Sequence, residues 1–199
     1  ELEISYKAAW FMLHRIRKAM MDRDSKYLLA GVVELDDAYF GAPEEEGKRG
    51  RGTSKAKVIV GLSLNDEGHP QFLKMEVVND LKKQTIAEFA HSNIESGSTI
   101  SSDAYRSYRN LQKEGYNLEF KVFNPKEDPE HLNWLHTIVS NAKAFVTGTF
   151  HGLDEKHLQR YLDEFCYRFN RRFFVSELFN RIVNCCIASQ KIKYTELTI

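Results

Sequence analysis

Three side chains in this sequence could share one piece of chemistry: Asp36, inside a mostly apolar run, Asp103, at the end of a short run of small residues, and His136, on a helical stretch further along. Carboxylates bind hard divalent cations through oxygen, and an imidazole can complete such a set. Two cations a few ångströms apart stabilise the attacking and leaving oxygens of a phosphodiester displacement. Each residue also has a plainer reading. Asp36 could be a sheet-edge acid in contact with water. Asp103 could be a helix N-cap, a position Asp fills well. A lone His on a helix is commonly structural. The elements that carry the three residues decide between these readings.

Residues 31–40, 57–64 and 72–78 read as three consecutive strands, the last two joined by the turn Asn65-Asp66-Glu67-Gly68, which suggests an antiparallel meander. Glu34 and Asp36 are two apart and share a face, while Asp37 points the other way. The apolar residues around Asp36 do not alternate cleanly, so the strand reads as buried on both faces. The pattern then alternates: a helix over 83–94, a short strand over 98–102 ending at Asp103, a helix over 105–114 closed by Gly115, and a strand over 118–123. A long helix follows over about 131–147, then helices over about 154–172 and 176–191. This is the element order of an RNase H-like fold, a mixed α/β sheet with helices on both faces. In such a sheet the first and fourth strands are neighbours, which brings Asp36 and Asp103 together, and a late helix supplies a third ligand.

On the long helix, Leu135, Ile138, Val139, Ala142 and Val146 form a core stripe at helical spacing. Asn133, His136, Ser140, Lys143 and Thr147 form a polar lane beside it. His136 and Lys143 are two turns apart and point the same way within roughly 20°. Such a lane suits a helix bordering a cleft, although an ordinary amphipathic boundary looks the same.

Composition narrows the classes. The 28 basic and 28 acidic residues cancel, so any affinity for nucleic acid must come from local charge. Local charge does occur at Lys48, Arg49, Arg51, Lys55 and Lys57, in a glycine-rich segment between the first two strands, where a solvated hairpin loop is the plain alternative. The cysteines (Cys166, Cys185, Cys186) form no CxxC, and the remaining histidines show no zinc spacing with them, which fits a reducing, cytoplasmic setting. No apolar run is long enough to span a membrane. The sequence begins Glu1-Leu2-Glu3 without an initiator Met and reads as a piece of a longer protein. The expected organisation is a helical remnant over 1–25, an RNase H-like catalytic domain over 26–175 and a C-terminal helix over 176–199.

The motifs resemble the ISXO-like branch of the DDE-superfamily transposases of bacterial insertion sequences, over roughly residues 30–172. The first acidic block is similar to Glu34-Leu35-Asp36-Asp37-Ala38-Tyr39-Phe40-Gly41, and the second to Ser101-Ser102-Asp103-Ala104-Tyr105-Arg106-Ser107-Tyr108. The third is similar to His131-Leu132-Asn133 through His136, Lys143 and Gly148-Thr149-Phe150-His151. The tail Leu158-Gln159-Arg160-Tyr161-Leu162-Asp163-Glu164-Phe165 with Arg168-Phe169-Asn170-Arg171-Arg172 is similar as well. His136 stands where many relatives carry Glu, and Val139 where a Trp is common. Helix 5–22 resembles what remains of the family's helix-turn-helix region once its zinc ribbon is left out.

The resemblance implies a transposase that cuts DNA at element ends and joins the exposed 3′-OH groups to target DNA, working as a homo-oligomer on that DNA. It implies two divalent ions, Mg²⁺ or Mn²⁺, with Asp36 and Asp103 binding both and His136 one. It also implies DNA contacts from Asn133, Lys143 and the loop residues Lys48, Arg49, Arg51 and Lys55. An imidazole in place of a carboxylate should weaken metal binding and shift preference toward Mn²⁺. Glu34, on Asp36's own face, is the alternative third carboxylate. A catalytically silent nucleic-acid-binding domain, or a nuclease of this fold without strand transfer, are the alternative functions.

Overall fold

The computed structural model describes residues 3–41, 53–103, 105–121, 131–150, 153 and 155–198. Residues rich in β-branched side chains form three long strands: β1 (Val32–Phe40), β2 (Ala56–Leu64) and β3 (Pro70–Val78). They pair antiparallel as the expected meander. The β2–β3 turn is set by Asn65, whose Oδ1 accepts the N–H groups of Glu67 and His69, while Gly68 takes a φ of +77°. Helix α2 (Lys83–Asn93) then returns the chain so that β4 (Thr99–Asp103) lies parallel to β1, with β5 (Asn117–Lys121) parallel beyond it. The sheet order is β3-β2-β1-β4-β5, the RNase H-like arrangement.

Each face of the sheet is covered. On one, Val33, Leu35, Ile59 and Ile100 pack against Ile86, Phe89 and Ala90 of α2. On the other, Ala38, Phe40, Val58, Val60 and Leu62 pack against α3 (Asn133–Thr149) and α4 (Leu158–Asn170). The stripe Leu135, Ile138, Val139 and Ala142 on α3 is buried as its spacing requires.

The segment after β4 departs from expectation. The structure has a 3₁₀ helix over Tyr108–Glu114 in place of an α-helix over 105–114. The Asp103 carboxylate accepts the Tyr105 N–H and holds the first residues in a turn. The three-residue repeat then buries Tyr108 and Leu111 on one line, and Gly115 closes the segment at a φ of +92°. The last two expected helices are shorter, and each is entered through a 3₁₀ turn. α4 follows Glu155–His157, and α5 (Leu178–Ala188) follows Val175–Glu177. A short helix, α6 (Thr195–Thr198), lies beyond.

Two features outside the expected core tie the fold together. The free edge of β3 is taken up by side chains of α4 and the residues just after it. Gln159 accepts the Val77 N–H and donates to Met75 O, and Asn170 accepts the Leu73 N–H and donates to Leu73 O. These amides stand in for a sixth strand and leave no unpaired ladder there for another chain to extend. Helix α1 (Tyr6–Asp24), capped by Ser5, packs on α4, with Arg17 Nε 2.9 Å from Glu164 Oε2 and Arg171 Nη2 2.7 Å from Asp24 Oδ1.

Candidate active site

β1 carries Glu34, Asp36, Ala38 and Phe40 on the face covered by α3 and α4, and Val33, Leu35 and Asp37 on the other. Asp37 accordingly turns away, toward the hydroxyl of Tyr108 at 3.4 Å. The β1–β4 register pairs Glu34 with Ser101 and Leu35 with Ser102. Asp36 and Asp103 are the next residue of each strand. In a parallel pair, residues at one level share a face, so both acids lie on the α3 side, Asp36 midway along β1 and Asp103 at the carboxyl end of β4. A cavity of about 660 Å³ lies at the opposite end of these strands, beside Gly31, Val32 and Thr99, away from the acids.

α3 meets this edge at its first turn. His136 Nε2 lies 3.4 Å from Asp36 Oδ2, with the His136 side chain 49% exposed and that of Asp36 16%. The hydrogen bond to Asp36 holds the His136 imidazole above its ordinary pKa, against the opposing effect of partial burial. The other Asp36 oxygen accepts the Asp37 N–H at 2.8 Å. Asp103 is half-buried, and its Oδ1 accepts the Tyr105 N–H at 3.0 Å. Glu34 is buried, and its Oε2 accepts the Leu135 N–H at 3.0 Å. Burial pushes the Glu34 carboxyl upward in pKa.

Of the residues singled out for chemistry, Asp36 and His136 therefore touch, and Asp103 shares their face and level. Among the described residues, no three His, Cys, Asp or Glu side chains stand together closely enough to hold a metal ion. The donor set nevertheless suits a divalent cation in kind: carboxylate oxygens on two adjacent strands and an imidazole facing one of them. Asn133 and Lys143 are exposed on α3. Lys143 is held below the ordinary ammonium pKa by partial burial and then by the nearby charge of Lys55, so these two cations approach each other. Lys143 also lies 5.8 Å from the centre of the Phe40 ring. Lys48, Arg49 and Arg51 lie outside the described residues. The bond from Glu34 to α3 was not anticipated. The sequence places Glu34 on Asp36's face but carries no signal for a partner that is a backbone amide.

Residues 28–170 match the model of the ISXO2-like transposase domain, and the chain belongs to that family. Among solved structures, the catalytic core domain of BIV integrase is similar over 72% of this chain and 85% of its own, at 10% identity and a TM-score of 0.48. The catalytic domain of the Mos1 mariner transposase is similar over 96% and 98%, at 10% identity and a TM-score of 0.32. In the Mos1 paired-end complex with the left transposon end, the chain spans 63% of the transposase, at 10% identity and a TM-score of 0.31. Comparison with curated protein sequences finds no match. Among the described residues, no helix is long and apolar enough to cross a membrane.

Proposed function

We propose that this chain is the catalytic part of an insertion-sequence transposase, which cleaves DNA at element ends and transfers the 3′-OH ends to target DNA. The observation that carries this reading is the pair Asp36 and Asp103, level with each other on neighbouring parallel strands with His136 against Asp36, in a chain of a transposase family. Asp36 and Asp103 would hold two divalent cations, Mg²⁺ or Mn²⁺, and His136 would add a nitrogen to one of them. Asp103 joins Asp36 by turning its carboxyl from the Tyr105 N–H. Ions held there would supply positive charge to offset that of the scissile phosphate and of the entering and leaving oxygens. The chain's own share is positional. Strands β1 and β4 fix the two carboxylates, and the first turn of α3 sets the imidazole.

Lys143 and Lys55 contact a backbone phosphate, with Asn133 beside them and Lys48, Arg49 and Arg51 adding charge without reading sequence. Residues 26–175 form the catalytic unit, residues 1–25 belong to a helix-turn-helix region, and residues 176–199 form a C-terminal helical segment. The active form is a homo-oligomer assembled on DNA. The test is incubation of the full-length protein with duplexes carrying its own element ends, with Mg²⁺ or Mn²⁺. Cleavage at the end followed by joining to a second duplex is expected. Cleavage without joining would make the protein a nuclease, and binding without cleavage in either metal would make it a silent DNA-binding domain.

A further inference from the structure

Helix α3, which carries His136, begins without a local cap. Its N-cap residue, Leu132, offers no side-chain hydrogen bond, and the first turn contains no acidic residue. Leu132 is moreover a non-glycine residue in the left-handed region, at a φ of +55°. The first amides of a helix need acceptors, and their partial positive charge favours a carboxylate. The acceptor here comes from 101 residues earlier in the chain. Glu34 Oε2 takes the Leu135 N–H at 3.0 Å, with Glu34 7% and Leu135 1% exposed. Leu135 precedes His136, and Glu34 lies two residues before Asp36 on the same strand face. Two rungs therefore join β1 to the first turn of α3: a buried one from Glu34 to the Leu135 amide, and a half-exposed one between Asp36 and His136.

We infer that Glu34 is a positioning residue: it caps α3 from the neighbouring strand and so sets His136 against Asp36, and it is not a metal ligand. The inference rests on the proposed DNA-cleaving reading only for its functional consequence. A carboxylate that is 7% exposed and committed to a helix amide at 3.0 Å does not reach out to solvent-borne ions. Removing it leaves the Leu135 amide without its acceptor at a buried site, and the turn opens. A misplacement of that kind at a catalytic group lowers rates by on the order of a hundredfold.

The test compares Glu34→Gln with Glu34→Ala in the full-length protein. Gln has the same length and an oxygen that accepts the Leu135 N–H, but no charge to give a metal. Backbone hydrogen exchange is measured first, without DNA or metal. Ala should speed exchange over residues 133–136 by about tenfold, with β1 and β4 unchanged and Gln close to wild type. End cleavage is then titrated with Mn²⁺. Gln should keep most of the wild-type rate at an unchanged half-saturating Mn²⁺, while Ala loses on the order of a hundredfold. Equal losses for Gln and Ala, with half-saturation moved in both, would make Glu34 a ligand and overturn the inference. So would wild-type exchange over 133–136 in the Ala variant. If wild type itself does not cleave DNA, the functional reading fails while the exchange data still judge the cap.

Discussion

Acidic side chains serve opposite ends on the two sides of the helix-covered face. Beside β3, the buried Asp24 and the half-buried Glu164 face buried guanidinium groups, Arg171 at 2.7 Å and Arg17 at 2.9 Å, and Arg17 is itself stacked 4.0 Å from the Tyr161 ring. At the β1–β4 end, Asp36 faces an imidazole that is half exposed, and the nearby lysines Lys55 and Lys143 crowd each other instead. A guanidinium stays charged at any ordinary pH and quenches its carboxylate for good. An exposed imidazole does not. The first region uses charge to dock α1 on α4; the second sets Asp36 against a half-exposed partner, which a cation can displace.

The sharpest way to break this contrast is to neutralise the acids on each side. Asp36→Asn or Asp103→Asn should lower metal-dependent end cleavage by on the order of a thousandfold, with the unfolding midpoint unchanged or raised. A variant that cleaves like wild type removes that residue from the site. On the other side, Arg17→Met should lower stability by about 1 to 2 kcal/mol, because it removes the buried partner of Glu164 and leaves only the exposed Arg168, at 3.5 Å. Cleavage per folded molecule should stay the same. Denaturant unfolding and cleavage at low temperature measure the two effects separately, and a selective loss of cleavage would merge the two regions into one functional unit.

A subtler test lies at Asp163, beside the β3 edge. One of its oxygens accepts a hydrogen bond from Gln159 at 2.8 Å, while the other is buried without a hydrogen-bond partner. Burial raises its pKa from 3.8 to about 7. Between these values the folded state binds the proton and the unfolded state does not. The contribution of Asp163 to stability is therefore greatest below about pH 4, falls by roughly 2 to 4 kcal/mol as pH rises to about 7, and is level above. Asp163→Asn keeps an acceptor for Gln159 and should flatten that slope, leaving the variant more stable than wild type at pH 8. Unfolding curves at pH 5 and pH 8 measure it, and an unchanged slope would assign the pH dependence elsewhere.

What the sequence revealed follows from the range of each interaction. The strands were legible because β-branched runs and a turn with Asn65 and Gly68 are local signals. The sharing of one face by Asp36 and Asp103 followed from placing the first and fourth strands side by side. The stripe on α3 was legible from its period. The 3₁₀ helix at Tyr108–Glu114 was not, because its cause is a side-chain bond from Asp103 and the burial of Tyr108 and Leu111, which propensity does not register. The α4 tail was visible as a motif but not as an edge cover, since Gln159 and Asn170 bond to backbone about 80 to 100 residues away. Glu34 was open between ligand and bystander for the same reason.

The smallest expected effect is at His136, and it sharpens the contrast most. Two aspartates and a neutral imidazole bring two negative charges to the site, where a third carboxylate would bring three. Mg²⁺ prefers oxygen donors, while Mn²⁺ accepts imidazole more readily. His136→Ala should slow cleavage by about tenfold, far less than loss of either aspartate, because it removes one neutral ligand from one ion. His136→Glu should keep cleavage and shift its preference toward Mg²⁺. With Glu34 occupied at the Leu135 amide, no other carboxylate on that strand face replaces the imidazole, so the Ala variant should need more of either metal for half-maximal rate. Cleavage of a pre-nicked element end, titrated with Mg²⁺ and Mn²⁺ for wild type and both variants, measures this. If His136→Ala matches wild type at every concentration of both metals, His136 is not a ligand, and its contact with Asp36 belongs with the structural pairs of the β3 side.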